Sequence, residues 1–135
     1  MKIEIKAWVD GRVLFAADTE NNTVADTLLM AIKAGVDLWG VDLSDSDLRG
    51  ANLMDASLRR SDLSRANLIN AALNGADLMN ASLSDACLID TDFHAAYLRG
   101  ADLSGAIRLL SLASAQQRIR YGLEGHEREI YHRMD

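Results

Sequence analysis

From residue 36 to residue 105 the apolar positions of this chain recur with a period of five. Leu38, Leu43, Leu48, Leu53, Leu58, Leu63, Leu68, Leu73, Leu78, Leu83, Leu88, Phe93, Leu98 and Leu103 are fourteen sites at that spacing, and the one departure from leucine is also apolar. Two residues before each stands a residue that is never large, from Val36 and Val41 through Ser61 and Ala66 to Ala101, and nine of the fourteen are alanine. The unit reads small, any, leucine, polar, polar. An α-helix cannot use it, because five residues at 100° each advance about 500° and scatter the leucines around the cylinder. A flat strand cannot use it either, since side chains alternating with a period of two would send every second leucine to the opposite face. The conflict disappears when each unit is a short extended piece, alanine and leucine inward, followed by a bend that restores the register. A chain bending the same way every five residues is a coil, and its turns stack as parallel strands about 4.8 Å apart around a leucine ladder.

The period fails at both ends, so three segments are expected: 1–35, 36–105 and 106–135. In the first, Ile3, Ile5, Ala7 and Val9 alternate with Lys2, Glu4, Lys6 and Trp8. Asp10-Gly11 then predicts a type I′ turn and Arg12 to Ala16 a returning strand, which makes a β-hairpin. Thr23 with Asp26 has the form of a capping box, Val24 to Ala34 is apolar enough for a buried helix, and Gly35 sits where a helix stop belongs. In the last segment Leu112, Ala115, Ile119, Leu123, His126, Ile130 and Met134 are spaced 3, 4, 4, 3, 4 and 4, a mostly apolar stripe along one face of a helix that starts near Ser114. Gly122 and Gly125 each weaken that helix by about 1 kcal/mol, so it is one helix or two shorter ones. Unbroken, residues 112–134 would be about 35 Å long, against a rise of about 17 Å for the coil. Such a tail either folds back as a cap or pairs with the same helix of a second subunit, with Leu112, Ile119, Leu123, Ile130 and Met134 as the dimer contact.

The unit resembles that of the pentapeptide-repeat family, A(D/N)LXX, which Ala51-Asn52-Leu53, Ala66-Asn67-Leu68, Ala76-Asp77-Leu78 and Ala101-Asp102-Leu103 match literally. The resemblance covers residues 36–105. It implies a mainly β fold, a right-handed quadrilateral parallel β-helix, or solenoid, with four units per coil, hence about 3.5 coils, and the hand agrees with that of parallel crossovers. The N-terminal hairpin and helix are similar to the way some bacterial and phage members begin. In some members the C-terminal segment forms the dimer contact.

Composition narrows the chemistry. With 135 residues, 49% hydrophobic, no proline and one cysteine, the chain suits a single soluble domain and excludes a disulfide scaffold. It holds neither a membrane-spanning apolar run nor a signal peptide, which makes a cytoplasmic location the expectation. His94, His126 and His132 stand in no catalytic motif, and the six-residue spacing of His126 and His132 is not the i, i+4 pair of a zinc helix. Cys87 has no second cysteine. The glycines at 40, 50, 75, 100 and 105 follow the bends of the repeat and form no phosphate loop. No cofactor, metal or catalytic residue is therefore expected.

With four units per coil, residues twenty apart become neighbours. Asp45, Arg65 and Asp85 then form a charge ladder, and Trp39, Arg59, Met79 and Arg99 share a face on which Trp39 meets Arg59 in a cation–π contact, while Ile69 and Ile89 stack on another. These six side chains, Trp39, Arg59, Met79, Arg99, Ile69 and Ile89, are the candidate interaction surface. The net charge of -6 sits on residues 36–105, where eleven aspartates face five arginines; residues 1–35 carry -1 and the tail +1. The resemblance extends to quinolone-resistance members that imitate duplex DNA and bind DNA gyrase. A length of about 17 Å matches only about five base pairs, and the arginines interrupt the acidic surface. Direct nucleic-acid binding needs a basic patch that is missing. The expectation is a non-catalytic protein-interaction or scaffold module with an unidentified protein partner. An acidic gyrase-directed DNA mimic is the alternative, and an enzyme with its site in the terminal segments stands third.

Overall fold

The computed structural model describes residues 1–107. Strand β1 (Lys2–Ala7) pairs antiparallel with β2 (Val13–Asp18), helix α1 (Val24–Lys33) follows, and β3 (Val41–Asp42) returns to the free edge of β1, giving the sheet order β2-β1-β3. From β3 onward the chain winds as a parallel β-solenoid. Residues twenty apart bridge, from Asp42 with Asp62 to Cys87 with Ile107, so four five-residue units separate each bridged pair.

The leucine column is the core. Leu38 to Leu88 at steps of five are at most 1% exposed, and Phe93, Leu98 and Leu103 close the series at 6%, 6% and 2%. Ile5 of β1 with Leu28 and Ala31 of α1 belongs to the same buried cluster, so the N-terminal segment and the coil share one interior. Thr23 starts α1 as expected: its side chain accepts the Asp26 N–H at 3.0 Å and its hydroxyl donates to the Asp26 carboxylate at 2.7 Å. Gly35, at φ 72°, ends it.

The hairpin connection differs from the type I′ turn expected at Asp10-Gly11. That turn needs positive φ at both residues, and only Gly11 has it. Ala7 closes a longer loop instead, accepting the Gly11 N–H and donating to the Arg12 carbonyl. The cause is tertiary: the Trp8 N–H leaves the hairpin to bond the Gly40 carbonyl at 2.9 Å, which pulls the strand end onto the first coil.

Candidate functional site

Turn bonds within each five-residue unit and bonds to adjacent coils claim most backbone groups, and this decides which side chains are left for function. The residue two after each leucine, from Gly40 to Gly105, has φ between 55° and 74°, and the leucine carbonyl accepts the N–H three residues on. That is a type II-like turn, which favours Gly, Asn or Asp at the positive-φ place. The N–H groups of the middle, leucine and positive-φ residues bond carbonyls of adjacent coils. One amide per unit remains, that of the residue just after the leucine. Where the middle residue is Asp or Asn, its side chain takes this amide, as Asp42 does for Ser44 at 3.0 Å, Asp62 for Ser64 at 2.9 Å and Asn67 for Ile69 at 3.2 Å.

The eleven aspartates between residues 36 and 105 all fall into those two places. Asp37, Asp42, Asp47, Asp62, Asp77, Asp92 and Asp102 accept the amide two residues on. Asp45, Asp55, Asp85 and Asp90 occupy positive-φ positions. The place free of any backbone duty, just after each leucine, holds Trp39, Ser44, Arg49, Met54, Arg59, Ser64, Ile69, Asn74, Met79, Ser84, Ile89, His94, Arg99 and Ser104, with no carboxylate at all. The acidity expected to carry a function thus follows from how the turns are built.

The family model for pentapeptide repeats, in eight copies, matches residues 34–68, 61–100 and 76–107. The chain belongs to the pentapeptide-repeat family. Solved structures similar to this pentapeptide-repeat chain include Rfr23 from the cyanobacterium Cyanothece 51142, 33% identical over 50% of this chain and 44% of that one, with a TM-score of 0.37. HetL, involved in heterocyst differentiation regulation in Nostoc sp. strain PCC 7120, is 39% identical over 50% of this chain and 36% of its own, at a TM-score of 0.26. QnrB1, a plasmid-mediated fluoroquinolone resistance protein, is 20% identical over 57% of this chain and 42% of its own, at 0.45. The chain spans less than half the length of each of these three, and at such TM-scores none of their roles transfers. No curated protein matches it.

In this pentapeptide-repeat chain the twenty-residue columns gather Trp39, Arg59, Met79 and Arg99 on one column of turns and place Ile69 and Ile89 on another, where both are half-buried. The expected contact of Arg59 with Trp39 is corrected. The guanidinium over Trp39 is that of Arg60, 5.8 Å from the ring centroid. Arg59 turns the other way, to the Asp77 carboxylate at 2.6 Å and the Met79 sulfur at 3.0 Å. Arg65 grips Asp45 with two bonds of 2.7 and 2.8 Å, which holds the Asp45 carboxyl below its ordinary value. Arg49 does the same to Asp47 and lowers it to about 2.

Two participants were missed by column counting. Trp8 comes from the hairpin: its indole N–H donates to the Arg60 carbonyl at 2.6 Å, and half of the residue stays exposed. Arg60 stood in plain view beside Arg59, and its place in the positive-φ position was the signal that its side chain takes another direction. Leu112, Ile119, Leu123, Ile130 and Met134, with the expected C-terminal helix, lie outside the described residues. Among the described residues no three His, Cys, Asp or Glu side chains are grouped to hold a metal ion, and no helix is long and apolar enough to cross a membrane.

Proposed function

We propose that the protein is a non-catalytic interaction module: a right-handed quadrilateral rod of about 3.5 coils, closed at its N-terminal end by the hairpin and α1, that presents the side chains after each leucine to a protein partner. One observation carries this. The single place per unit that no backbone requirement claims holds Trp39, Met54, Met79, Arg49, Arg59 and Arg99, residue types enriched at protein interfaces. A gyrase-directed duplex mimic is disfavoured by the same geometry, because the aspartates are tied to turns and Asp45, Asp47 and Asp77 each share an arginine. The homodimer through the tail stays a proposal for the same module.

Site-specific photocrosslinking tests the module. A crosslinking side chain at Met79 is expected to yield a discrete adduct with a second protein in the native cell, and one at Ser84, on another column, is expected to yield none. Absence of adducts from every column, or inhibition of gyrase supercoiling by micromolar protein, would overturn it.

A further inference from the structure

The turn column running through Trp39, Arg59, Met79 and Arg99 differs from the other three in its electrostatics, and the difference points to a partner. Its two turn places hold Trp39-Gly40, Arg59-Arg60, Met79-Asn80 and Arg99-Gly100, with no carboxylate among them. Asp77 answers Arg59 from the neighbouring place. Arg60 and Arg99 pair with no carboxylate among the described residues. Arg60 is moreover held at φ 56°, where seven of the ten non-glycine residues with positive φ are Asn or Asp. An arginine there strains the backbone, and among the described residues no ion pair returns its cation to the fold. Arg65, strained in the same way, is bound to Asp45. At the N-terminal end of the column two tryptophans converge on the same backbone: Trp8 bonds the carbonyls of Gly40 and Arg60, and Trp39 lies under the Arg60 guanidinium, with 51% and 42% of the two residues exposed.

Along the column the order is therefore apolar, cationic, apolar, cationic, over about 14 Å at about 4.8 Å per coil. We propose, building on the module assigned above, that this column docks an extended segment of a partner protein in which acidic side chains meet Arg60 and Arg99 and large apolar side chains lie on Trp8, Trp39 and Met79. Charge complementarity selects the occupant. Arg60 and Arg99, which meet no carboxylate among the described residues, match two carboxylates, whereas a nucleic-acid strand brings a phosphate at every nucleotide to a rod whose net charge over residues 36–105 is -6.

Trp8 and Trp39 are the only tryptophans of the chain, so their fluorescence reads the site directly. The full chain is titrated with a leucine–serine decapeptide carrying two glutamates, with its two-lysine counterpart, and with a ten-nucleotide oligothymidylate. The acidic peptide is expected to shift the emission saturably. Arg60→Gln and Arg99→Gln should each weaken it about tenfold, as loss of an interface arginine does, while Arg49→Gln on another column leaves it unchanged. No saturable shift, an equal response to the lysine peptide, tighter binding of the oligothymidylate, or undiminished binding by Arg60→Gln overturns the assignment. If the peptide fails while the Met79 crosslinker still captures a partner, the acidic segment is wrong and the module stands. If no column captures anything, the module itself falls.

Discussion

Two columns of the same rod show how one backbone supports opposite surfaces. In the column of Ser44, Ser64, Ser84 and Ser104, the hydroxyls of Ser44, Ser64 and Ser104 donate to Asp42, Asp62 and Asp102, and that of Ser84 lies 3.1 Å from the Ser82 hydroxyl. Arg65 closes on Asp45. The turns of the tryptophan column have the same backbone hydrogen bonds and the same positive φ, yet among the described residues Arg60 and Arg99 meet no carboxylate and two tryptophans stay half in solvent. Such a turn needs a residue suited to positive φ and leaves the one before it open to choice. The serine column uses that choice to close its polar groups on themselves, whereas the tryptophan column closes Arg59 on Asp77 and leaves Arg60 and Arg99 without a carboxylate among the described residues.

Both columns hang on one interior, so the largest effect comes from breaking it. Leu68 is fully buried, and its carbonyl also accepts the Thr91 hydroxyl from the next coil at 2.7 Å. Thr91 shows that the small position tolerates a hydroxyl when a carbonyl is in reach, but a carboxylate at a leucine position would have no such partner. Leu68→Asp is expected to abolish cooperative melting followed by circular dichroism, a loss above about 4 kcal/mol. A variant that melts cooperatively near the wild-type temperature would mean that the columns are held independently.

The interior was legible in the sequence because a five-residue period leaves one geometrical solution, and the twenty-residue columns followed from it once the family resemblance supplied four units per coil. The Arg65 pair with Asp45 was readable for that reason. What column counting lost were effects outside the period. Arg60 sits one place further along the turn than Arg59, and its positive φ sends the side chain to Trp39. Trp8 reaches the site only because the hairpin end bonds Gly40, a contact no local pattern encodes. The Asp or Asn of the repeat is visible as a consensus letter, while its purpose, an acceptor for an otherwise unpaired amide, shows only in the folded turn.

That purpose gives the middle-sized test of the two columns. Asp62 serves the serine column through the Ser64 amide and hydroxyl, and Asp77 serves the tryptophan column through the Met79 amide. Asp62→Ala should cost about 1 kcal/mol, the worth of a turn hydrogen bond, or about 4 °C in melting temperature. Asp62→Asn should cost little, since Asn52 and Asn67 perform the same task at 3.2 Å. Equal losses for the two variants would make the charge, not the acceptor, the stabilising feature.

Acid should act on the closed parts of the surface and spare the open one. Arg49 holds Asp47 at about 2, and Arg65 holds Asp45 below the ordinary 3.8, in each case chiefly by hydrogen bonds from the guanidinium. Both folded values lie beneath the unfolded one. The stabilisation is therefore present in full above about pH 4 and is lost as pH falls through the folded values. Because the pairs are exposed, their share is small and salt weakens it further. Carboxyl carbon NMR should follow Asp47 titrating near pH 2 in the wild type and moving back toward 3.8 in Arg49→Gln, with the acid limb of the stability curve, the loss between about pH 4 and pH 2, becoming shallower. Arg60→Gln should leave that limb where it is, because no carboxylate among the described residues answers Arg60. A shift of the acid limb in Arg60→Gln would reveal a hidden carboxylate partner and erase the distinction between the two columns.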